Sequence, residues 1–236
     1  CFRGYDLAQR QEDNTTRIAA LDMLSAVAAE RSDVAATRTY VQEIFDLTDA
    51  DDARRAHGYA RLGIAAINHD EWEDAIHLIS EAICLFGNAG QHRFAAQAER
   101  NLAYAYAYTR QDELALEHYQ HALDMFELYP SVLDVAQTQM ELGFAHWRQQ
   151  NHQLAIAAYK LCEPVFVTIG DRLALGYLYN YYGLAYTGLH DFEAASRCFA
   201  QSLELVRELN MPALAANVLE SLGRMYEAQG LHDMAI

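Results

Sequence analysis

The chain has 236 residues, of which 52% are hydrophobic and 21% are charged, a composition typical of a folded protein with a buried core. Its 33 acidic residues outnumber 17 basic ones, and the formal net charge of −16 repels the phosphates of nucleic acids and anionic lipid heads. No apolar run reaches the about 18 residues that a membrane helix needs. We therefore expect a cytoplasmic protein that binds neither nucleic acid nor membranes.

Residues that interrupt helices are scarce, since the chain has three prolines and twelve glycines. Ala, Leu, Glu, Gln and Arg, which favour helices, fill the segments between them. The first predicted pair of helices lies in residues 1–57, as "RIAALDMLSAVAAE" followed by "SDVAATRTYVQEIF". We expect this segment to be a degenerate repeat that caps the N-terminal end of the fold.

From residue 58 to residue 236, one frame of sequence recurs every 40 residues without insertion or deletion, first as "LGIAAINHDEWEDAI" at residues 62–76. Three positions of the frame hold a small residue in nearly every repeat, and Met225 in the second of them is the exception. They are Gly63, Ala103, Gly143, Gly183 and Gly223; then Ala65, Ala105, Ala145 and Ala185; then Ala75, Ala115, Ala155, Ala195 and Ala235. Helices that cross at the short end of the usual range of about 8–10 Å need small side chains at the contact. These columns therefore predict the crossing points of helix pairs. A column of large side chains lies beside them: Ile79, Tyr119, Tyr159 and Phe199.

Each period predicts a helix A, a short polar turn and a helix B, because the apolar residues follow helical rather than alternating spacing. The predicted turns lie near residues 68–70, 109–111, 149–151, 188–190 and 229–231. Pro130 and Pro212 stand where a new helix A begins, a position that tolerates proline. Pro164 stands inside a helix B, where we expect a local kink. The sequence stops at Ile236, five residues into a sixth helix B, so we expect the chain to be part of a longer protein.

This pattern resembles the tetratricopeptide repeat (TPR). The shared features are a leucine followed by a small residue in helix A, with an aromatic residue three positions on, and Ala-x3-aromatic-x2-small in helix B, as in Ala115, Tyr119 and Ala122. The period of 40 residues is longer than the usual one of about 34. Longer variants of this kind occur in bacterial MalT-like and Rap/PlcR-like regulators, in LGN/Pins scaffolds and in kinesin light chains. The resemblance implies an all-α fold, a right-handed superhelical array of antiparallel helix hairpins (a TPR α-solenoid) with about five to six repeats.

The resemblance also implies that the helices A line a concave groove, and it implies which of their residues face that groove. These residues are Arg61, Gln97, Arg100, Asn101, Tyr104, Tyr108, Gln137, Met140, Phe144, Trp147, Tyr177, Asn180, Tyr181, Asn217 and Arg224. Aromatic and arginine side chains anchor interfaces, and arginine also pairs with carboxylates. We therefore expect the groove to bind an extended or helical peptide segment, with acidic groups on that ligand as one version of the hypothesis. The alternative is that Tyr104, Tyr108 and Phe144 pack against the adjacent helix A.

Motifs that carry chemistry are missing from the sequence, which contains no phosphate loop, dinucleotide fingerprint, zincin motif or nucleophile elbow. The best candidate for a metal site is "EHYQH", where His118 and His121 lie one helical turn apart without further ligands at a suitable spacing. The four cysteines show no paired spacing and favour reduced thiols, with a redox contact between Cys162 and Cys198 as the alternative. We therefore expect no catalysis, no metal and no cofactor.

Two functions of different classes agree with these observations. The leading hypothesis is a scaffold for protein–protein interactions that binds a protein or peptide in its groove. The alternative is the sensory or regulatory TPR region of a larger bacterial signalling protein, attached to an output domain such as a diguanylate cyclase or a DNA-binding module. A small-molecule or metal-dependent enzyme is the third option. The unfinished last repeat also offers an edge for self-association.

Overall fold

The computed structural model of the chain describes residues 13–31, 33–47 and 51–231, and within these ranges it contains α-helices and no strand. The helices are α1 (Asn14–Glu30), α2 (Val34–Leu47), α3 (Asp52–Asn68), α4 (Trp72–Asn88), α5 (His92–Tyr108), α6 (Asp112–Leu128), α7 (Val132–Arg148), α8 (His152–Ile169), α9 (Arg172–Gly188), α10 (Phe192–Glu208) and α11 (Pro212–Gln229). The prediction of an all-α fold is confirmed. None of these helices combines the length and the apolar character that a crossing of the lipid bilayer demands.

Consecutive helices pair as hairpins, in which α1 packs on α2, α3 on α4, α5 on α6, α7 on α8, and α9 on α10. These hairpins form two compact units, Cys1–Tyr129 with helices α1 to α6 and Pro130–Ile236 with helices α7 to α11. From α3 onward the helices follow the predicted period, and α11 is the helix A of the last repeat. Helix α3 begins at Asp52, within the segment that we expected to be the N-terminal cap. The predicted sixth helix B, with Ala235, lies outside the described residues.

Helix A and helix B of a hairpin cross where the sequence keeps one position small. A methyl group added to Gly143 would stand less than 3.0 Å from the ring of Tyr159, and one added to Gly183 would stand equally close to the ring of Phe199. Both rings are fully buried and have no room to move aside. Gly63 of the first full repeat is in the same situation. The predicted crossing points are confirmed in these three hairpins.

The turns share a backbone conformation that the sequence analysis did not predict. Within hairpins, a residue in the left-handed region with φ between 60° and 64° stands at Asp70, Arg110, Gln150 and His190, and Gly230 follows α11 with φ at 82°. Between hairpins, the equivalent residues are Gly90, Gly170 and Asn210. A left-handed residue lets the next N–H groups bond to the carbonyls of the last helical turn, as Gln91 N–H does to Phe86 O at 2.9 Å. Residue 130 lacks this conformation because the proline ring holds φ at about −65°. The boundary between the two units also falls at this residue.

The predicted turns are confirmed, since α3, α5, α7, α9 and α11 end at Asn68, Tyr108, Arg148, Gly188 and Gln229. Pro212 is the first residue of α11, as expected, and Pro130 immediately precedes Ser131, the N-cap of α7. Helix α8 runs through Pro164 to its end at Ile169. The kink that we expected at Pro164 stays a prediction.

Candidate functional site

Four aromatic side chains of the second unit come together on its helices A, and we call them the aromatic wall: Phe144 and Trp147 of α7 with Tyr177 and Tyr181 of α9. The ring centroids are 5.3 Å apart between Phe144 and Trp147, 4.9 Å apart between Phe144 and Tyr181, and 6.4 Å apart between Tyr177 and Tyr181. All four side chains are half-buried, so each packs on a neighbour and still presents part of its surface to solvent. The contact between Phe144 and Tyr181 is of the kind that the packing alternative predicted for Phe144.

Helical spacing explains why these rings share one surface. Phe144 and Trp147 are three residues apart on α7, and Tyr177 and Tyr181 are four residues apart on α9. Side chains at these separations lie on the same side of a helix. Aromatic pairs in stacked or tilted arrangements each contribute about 0.5–1.5 kcal/mol beyond the burial of their surface. The rings therefore hold one another in position before any ligand arrives.

A second group of tyrosines packs behind the aromatic wall, on the side of the hydrophobic core. Tyr159 of α8 is fully buried, and its ring centroid lies 6.2 Å from that of Tyr181 and 5.2 Å from that of Tyr182. Tyr179 and Tyr182 each donate a hydrogen bond of 3.1 Å to the carboxylate of Glu163. Burial raises the pKa of Tyr159, Tyr179 and Tyr182 above the usual value of a phenol. These hydroxyls therefore stay protonated and do not act as bases at neutral pH.

Asn180 is the polar member of this surface, between Tyr177 and Tyr181 on α9. It is only 6% exposed, and its Oδ1 atom has no hydrogen-bond partner among the described residues. A buried acceptor without a donor costs about 1–3 kcal/mol, and nearly all such groups in folded proteins are satisfied. The oxygen itself has almost no contact with solvent, so an N–H donor of a ligand would satisfy it only after the Asn180 side chain turns toward the surface.

The other predicted residues of the second unit take several positions. Gln137 and Met140 are half-buried on α7, and Met140 packs against the hydrophobic core of this unit. Asn217 and Arg224 are exposed on α11, where Arg224 donates a hydrogen bond of 2.6 Å to Glu220. Exposed ion pairs contribute no more than about 1 kcal/mol. Arg224 can therefore exchange Glu220 for the carboxylate of a ligand at little cost.

The first unit contains a separate aromatic group. Trp72, the first residue of α4, stacks on Tyr108 at a centroid distance of 4.6 Å, and Tyr108 lies 4.7 Å from Tyr104. Sequence analysis missed Trp72 because it assigned inward positions to the helices A only. Arg61 donates a hydrogen bond of 2.7 Å to Asp22 of α1, so an ion pair occupies its guanidinium. The remaining predicted residues of this unit are half-buried on α5: Gln97, Arg100 and Asn101.

The two histidines considered as metal ligands share a carboxylate that sequence analysis also missed. Glu99 of α5 is only 4% exposed, and its two oxygens lie 2.6 Å from Nδ1 of His118 and 3.1 Å from Nδ1 of His121. Two ligands of a tetrahedral zinc ion would stand about 3.3 Å apart, given metal–ligand bonds of about 2.0–2.1 Å. Nδ1 of His118 forms a hydrogen bond with Glu99, and Nδ1 of His121 contacts the same carboxylate, both at distances shorter than two ligands of one zinc ion would show. Nowhere in the described ranges do three or more His, Cys, Asp or Glu side chains form a group that could hold a metal ion.

The two cysteines of the second unit carry free thiols with little exposure to solvent. Cys162 is buried and Cys198 is half-buried, and both are free. Burial raises the pKa of Cys162 to about 12 and that of Cys198 to about 11. Since the thiolate is the reactive form, both groups are poor nucleophiles at neutral pH. Cys84 of the first unit is exposed and free, and Cys1 lies outside the described residues.

Two solved structures with close agreement in fold are the apo form of RapI and BtubC (BKLC) from P. vanneervenii. RapI has a TM-score of 0.76 and 14% sequence identity, with 99% of this chain and 91% of that chain covered. BtubC has a TM-score of 0.75 and 17% identity, with 88% of this chain and 89% of that chain covered. The apo form of the quorum sensor NprR from B. thuringiensis has a TM-score of 0.72 and 13% identity, with 98% and 68% covered. At these identities, the likeness is one of fold alone.

Two family models match the sequence itself. The model for the tetratricopeptide repeat matches residues 134–208, and the model for soluble NSF attachment protein, SNAP, matches residues 29–166, more than half of the chain. No curated protein matches the chain. The TPR α-solenoid is a fold of protein-interaction scaffolds, which agrees with a general role in interaction. The repeats, the hairpins and the matched models together show that the chain is a tetratricopeptide-repeat protein and belongs to the soluble NSF attachment protein (SNAP) family.

Proposed function

We propose that this protein is an interaction scaffold that binds an extended or helical peptide segment of a partner protein on the aromatic wall, without catalysis of its own. The observation that carries this proposal is the buried Oδ1 atom of Asn180, which has no hydrogen-bond partner among the described residues. It lies between two half-exposed tyrosines, Tyr177 and Tyr181. Partly exposed rings beside a buried, unsatisfied acceptor suit a ligand with apolar side chains and an N–H group that meets this oxygen after the Asn180 side chain turns outward.

Each part of such a ligand has a complementary group on the second unit. Trp147 and Phe144 offer ring surface to apolar side chains, and large aromatic residues of this kind are common binding hot spots. Asn180 turns its buried carboxamide outward and accepts a hydrogen bond from a backbone N–H of the peptide. Arg224 pairs with an acidic side chain after it releases Glu220, whose ion pair is exposed.

The groups around the wall support binding rather than catalysis. The buried phenols keep their protons because burial raises the pKa of Tyr159 and Tyr182. The thiols of Cys162 and Cys198 are held protonated for the same reason. A surface of neutral rings, one amide and one exchangeable arginine recognises a chain and offers no activated nucleophile.

Peptides selected from a random display library against the protein provide the test. The dissociation constant of a selected peptide is measured by fluorescence anisotropy for the wild type, for Trp147→Ala and for Asn180→Ala. We expect Trp147→Ala to weaken binding by at least about 30-fold, since a hot-spot side chain contributes about 2 kcal/mol or more. We expect about tenfold for Asn180→Ala, the loss of one hydrogen bond to a buried acceptor.

Trp72→Ala is the matched control, because it removes the other tryptophan, which packs in the aromatic group of the first unit. It should leave the affinity of the peptide unchanged, and circular dichroism should show the same helical content in all variants. Equal affinity of the wild type and both wall variants would refute binding on this surface.

A second candidate is the sensory or regulatory region of a larger signalling protein. The similarity in fold to RapI and to the quorum sensor NprR, over nearly the whole of this chain, favours it. In that case, peptide binding at the wall controls an attached output domain, such as a diguanylate cyclase or a DNA-binding module. Sequencing the source gene on both sides of this segment, followed by an assay of any output domain with and without the selected peptide, distinguishes this candidate from a simple scaffold.

A further inference from the structure

The outward face of α8 carries a line of uncharged residues. Five residues at alternating steps of three and four form this line, which we call the α8 stripe: Leu154, Ala157, Leu161, Pro164 and Thr168. All five are exposed, Leu154 to 53% and Leu161 to 65%. Steps of three and four keep side chains on one side of a helix and are the spacing by which helices pair along a seam.

Charge distinguishes the α8 stripe from the equivalent positions of other helices B, 40 residues or multiples of 40 away. These positions hold Asp74, His77, Glu81, Cys84 and Asn88 on α4, then Leu114, Glu117, His121, Asp124 and Leu128 on α6, then Ala194, Arg197, Gln201, Glu204 and Glu208 on α10. Each of those three helices carries at least two charged side chains there, whereas the α8 stripe carries none. The acidic residue of α8, Glu163, accepts hydrogen bonds from Tyr179 and Tyr182.

A second copy of the chain is the partner that an uncharged face suits. In a two-fold pair the same surface stands on both sides, so each charge near the axis faces a charge of the same sign. This repulsion is the main obstacle for a chain with a net charge of −16. Charges more than about 8 Å from the contact are largely screened at physiological ionic strength. An interface that excludes acidic residues from its centre therefore escapes most of the repulsion.

We propose that two copies associate through antiparallel α8 helices along the α8 stripe. The spacing is self-complementary, because placing Leu161 of one copy over Ala157 of the other also places Leu154 opposite Pro164. The small side chain of Ala157 leaves space for the leucine, which lets the helices approach closely. The exposed Lys160 stands at the rim of this contact close to the two-fold axis, so its stem covers apolar surface while its ammonium group turns into water and away from Lys160 of the second copy. The pairing does not depend on the aromatic wall.

The dimer formed in this way is weak and reversible. Helix α8 has 18 residues and spans about 27 Å. One helix pair of this length buries less than the about 1,200 Å² at the lower end of stable interfaces. We expect a dissociation constant on the order of 100 μM, since the free energy gained by burying so little surface barely exceeds the cost of the entropy lost on association.

Sedimentation velocity of the whole chain, from about 10 μM to about 1 mM, brackets the affinity expected for so small an interface. The average mass of the wild type should rise from 26.6 kDa toward twice that value. Leu161→Glu should remove the rise, because it places a carboxylate at the centre of the contact. Leu114→Glu is the matched control at the position equivalent to Leu154 on α6, and it should dimerise like the wild type.

The variant Ala157→Leu distinguishes specific packing from nonspecific hydrophobic association. It makes the α8 stripe more apolar but fills the space into which Leu161 of the second copy packs, so we expect it to weaken the dimer at least about tenfold. A wild type that stays monomeric throughout the range would overturn the proposal. Association that survives Leu161→Glu would also overturn it, as would a dimer strengthened by Ala157→Leu. Matching circular dichroism spectra establish that all variants are folded.

Discussion

Two glycines at the end of α4 test the left-handed turns directly, because they differ in backbone conformation and in little else. Gly87 lies in the last turn of the helix, whereas Gly90 follows the helix with φ at 68°. A methyl group at either position would meet no atom within 4 Å. Replacement by alanine therefore changes the backbone preference at each position and leaves the surrounding packing as it is.

The two alanine variants should change the free energy of unfolding in opposite directions. Gly87→Ala should raise it by up to about 1 kcal/mol, because alanine loses less backbone entropy on entering a helix. Gly90→Ala should lower it by about 1–2 kcal/mol, the cost of an L side chain in the left-handed region. Gln150→Gly is the converse change at a non-glycine residue with φ at 64°, and it should raise the free energy of unfolding by about 1 kcal/mol or less.

Urea unfolding followed by far-ultraviolet circular dichroism measures all three variants against the wild type. The comparison depends on the midpoint of the transition, with the slope checked for constancy. If Gly90→Ala stabilised the protein as much as Gly87→Ala, residue 90 would not hold the left-handed conformation in solution.

Two further predictions concern titratable groups of the second unit. Burial lowers the pKa of His146 below its ordinary value, so the folded state favours the neutral imidazole. The resulting stability is complete above the unfolded-state value of about 6.5 and is lost as pH falls through the lowered value of the folded state. His146→Tyr should therefore make the decrease of the urea midpoint in acid shallower, and an unchanged pH dependence would contradict this. The raised pKa of Cys162, about 12, and of Cys198, about 11, should slow alkylation at neutral pH relative to exposed Cys84. Mass spectrometry of labelled peptides checks this, and equal labelling of the three would be incompatible with it.

The hairpins could be predicted from the sequence because close packing restricts the size of the same residue in every repeat. A glycine that faces a buried ring, as Gly183 faces Phe199, tolerates no larger residue without movement of the ring, so the small position recurs at the period of the fold. Residues of the aromatic wall were predicted in a similar way, by assigning the inward positions of one repeat to the next. Phe144, Trp147 and Tyr181 were predicted as groove residues and lie together in the structure.

Other features of the structure could not be predicted from the sequence. Glu99 lies on a different helix from His118, 19 residues away in the sequence, and only the packing of α5 on α6 brings them together. The burial of Asn180 and the lack of a partner for its Oδ1 atom depend on the neighbouring helices and not on residue type. The left-handed residues are hidden because Arg110 and Gln150 occupy positions where glycine is the residue usually expected.

The constant spacing of the left-handed residues has a consequence for how a gene of this kind changes. Gly170 and Asn210 end successive hairpins in the same backbone conformation, 40 residues apart. An in-frame duplication or deletion of the period between them would therefore rejoin the helices through a turn of the same type. An insertion of another length within a helix would rotate the side chains that follow it in that helix by about 100° per inserted residue. Recombination of whole hairpins is thus the change that such a chain tolerates, and it adds or removes binding surface in discrete steps.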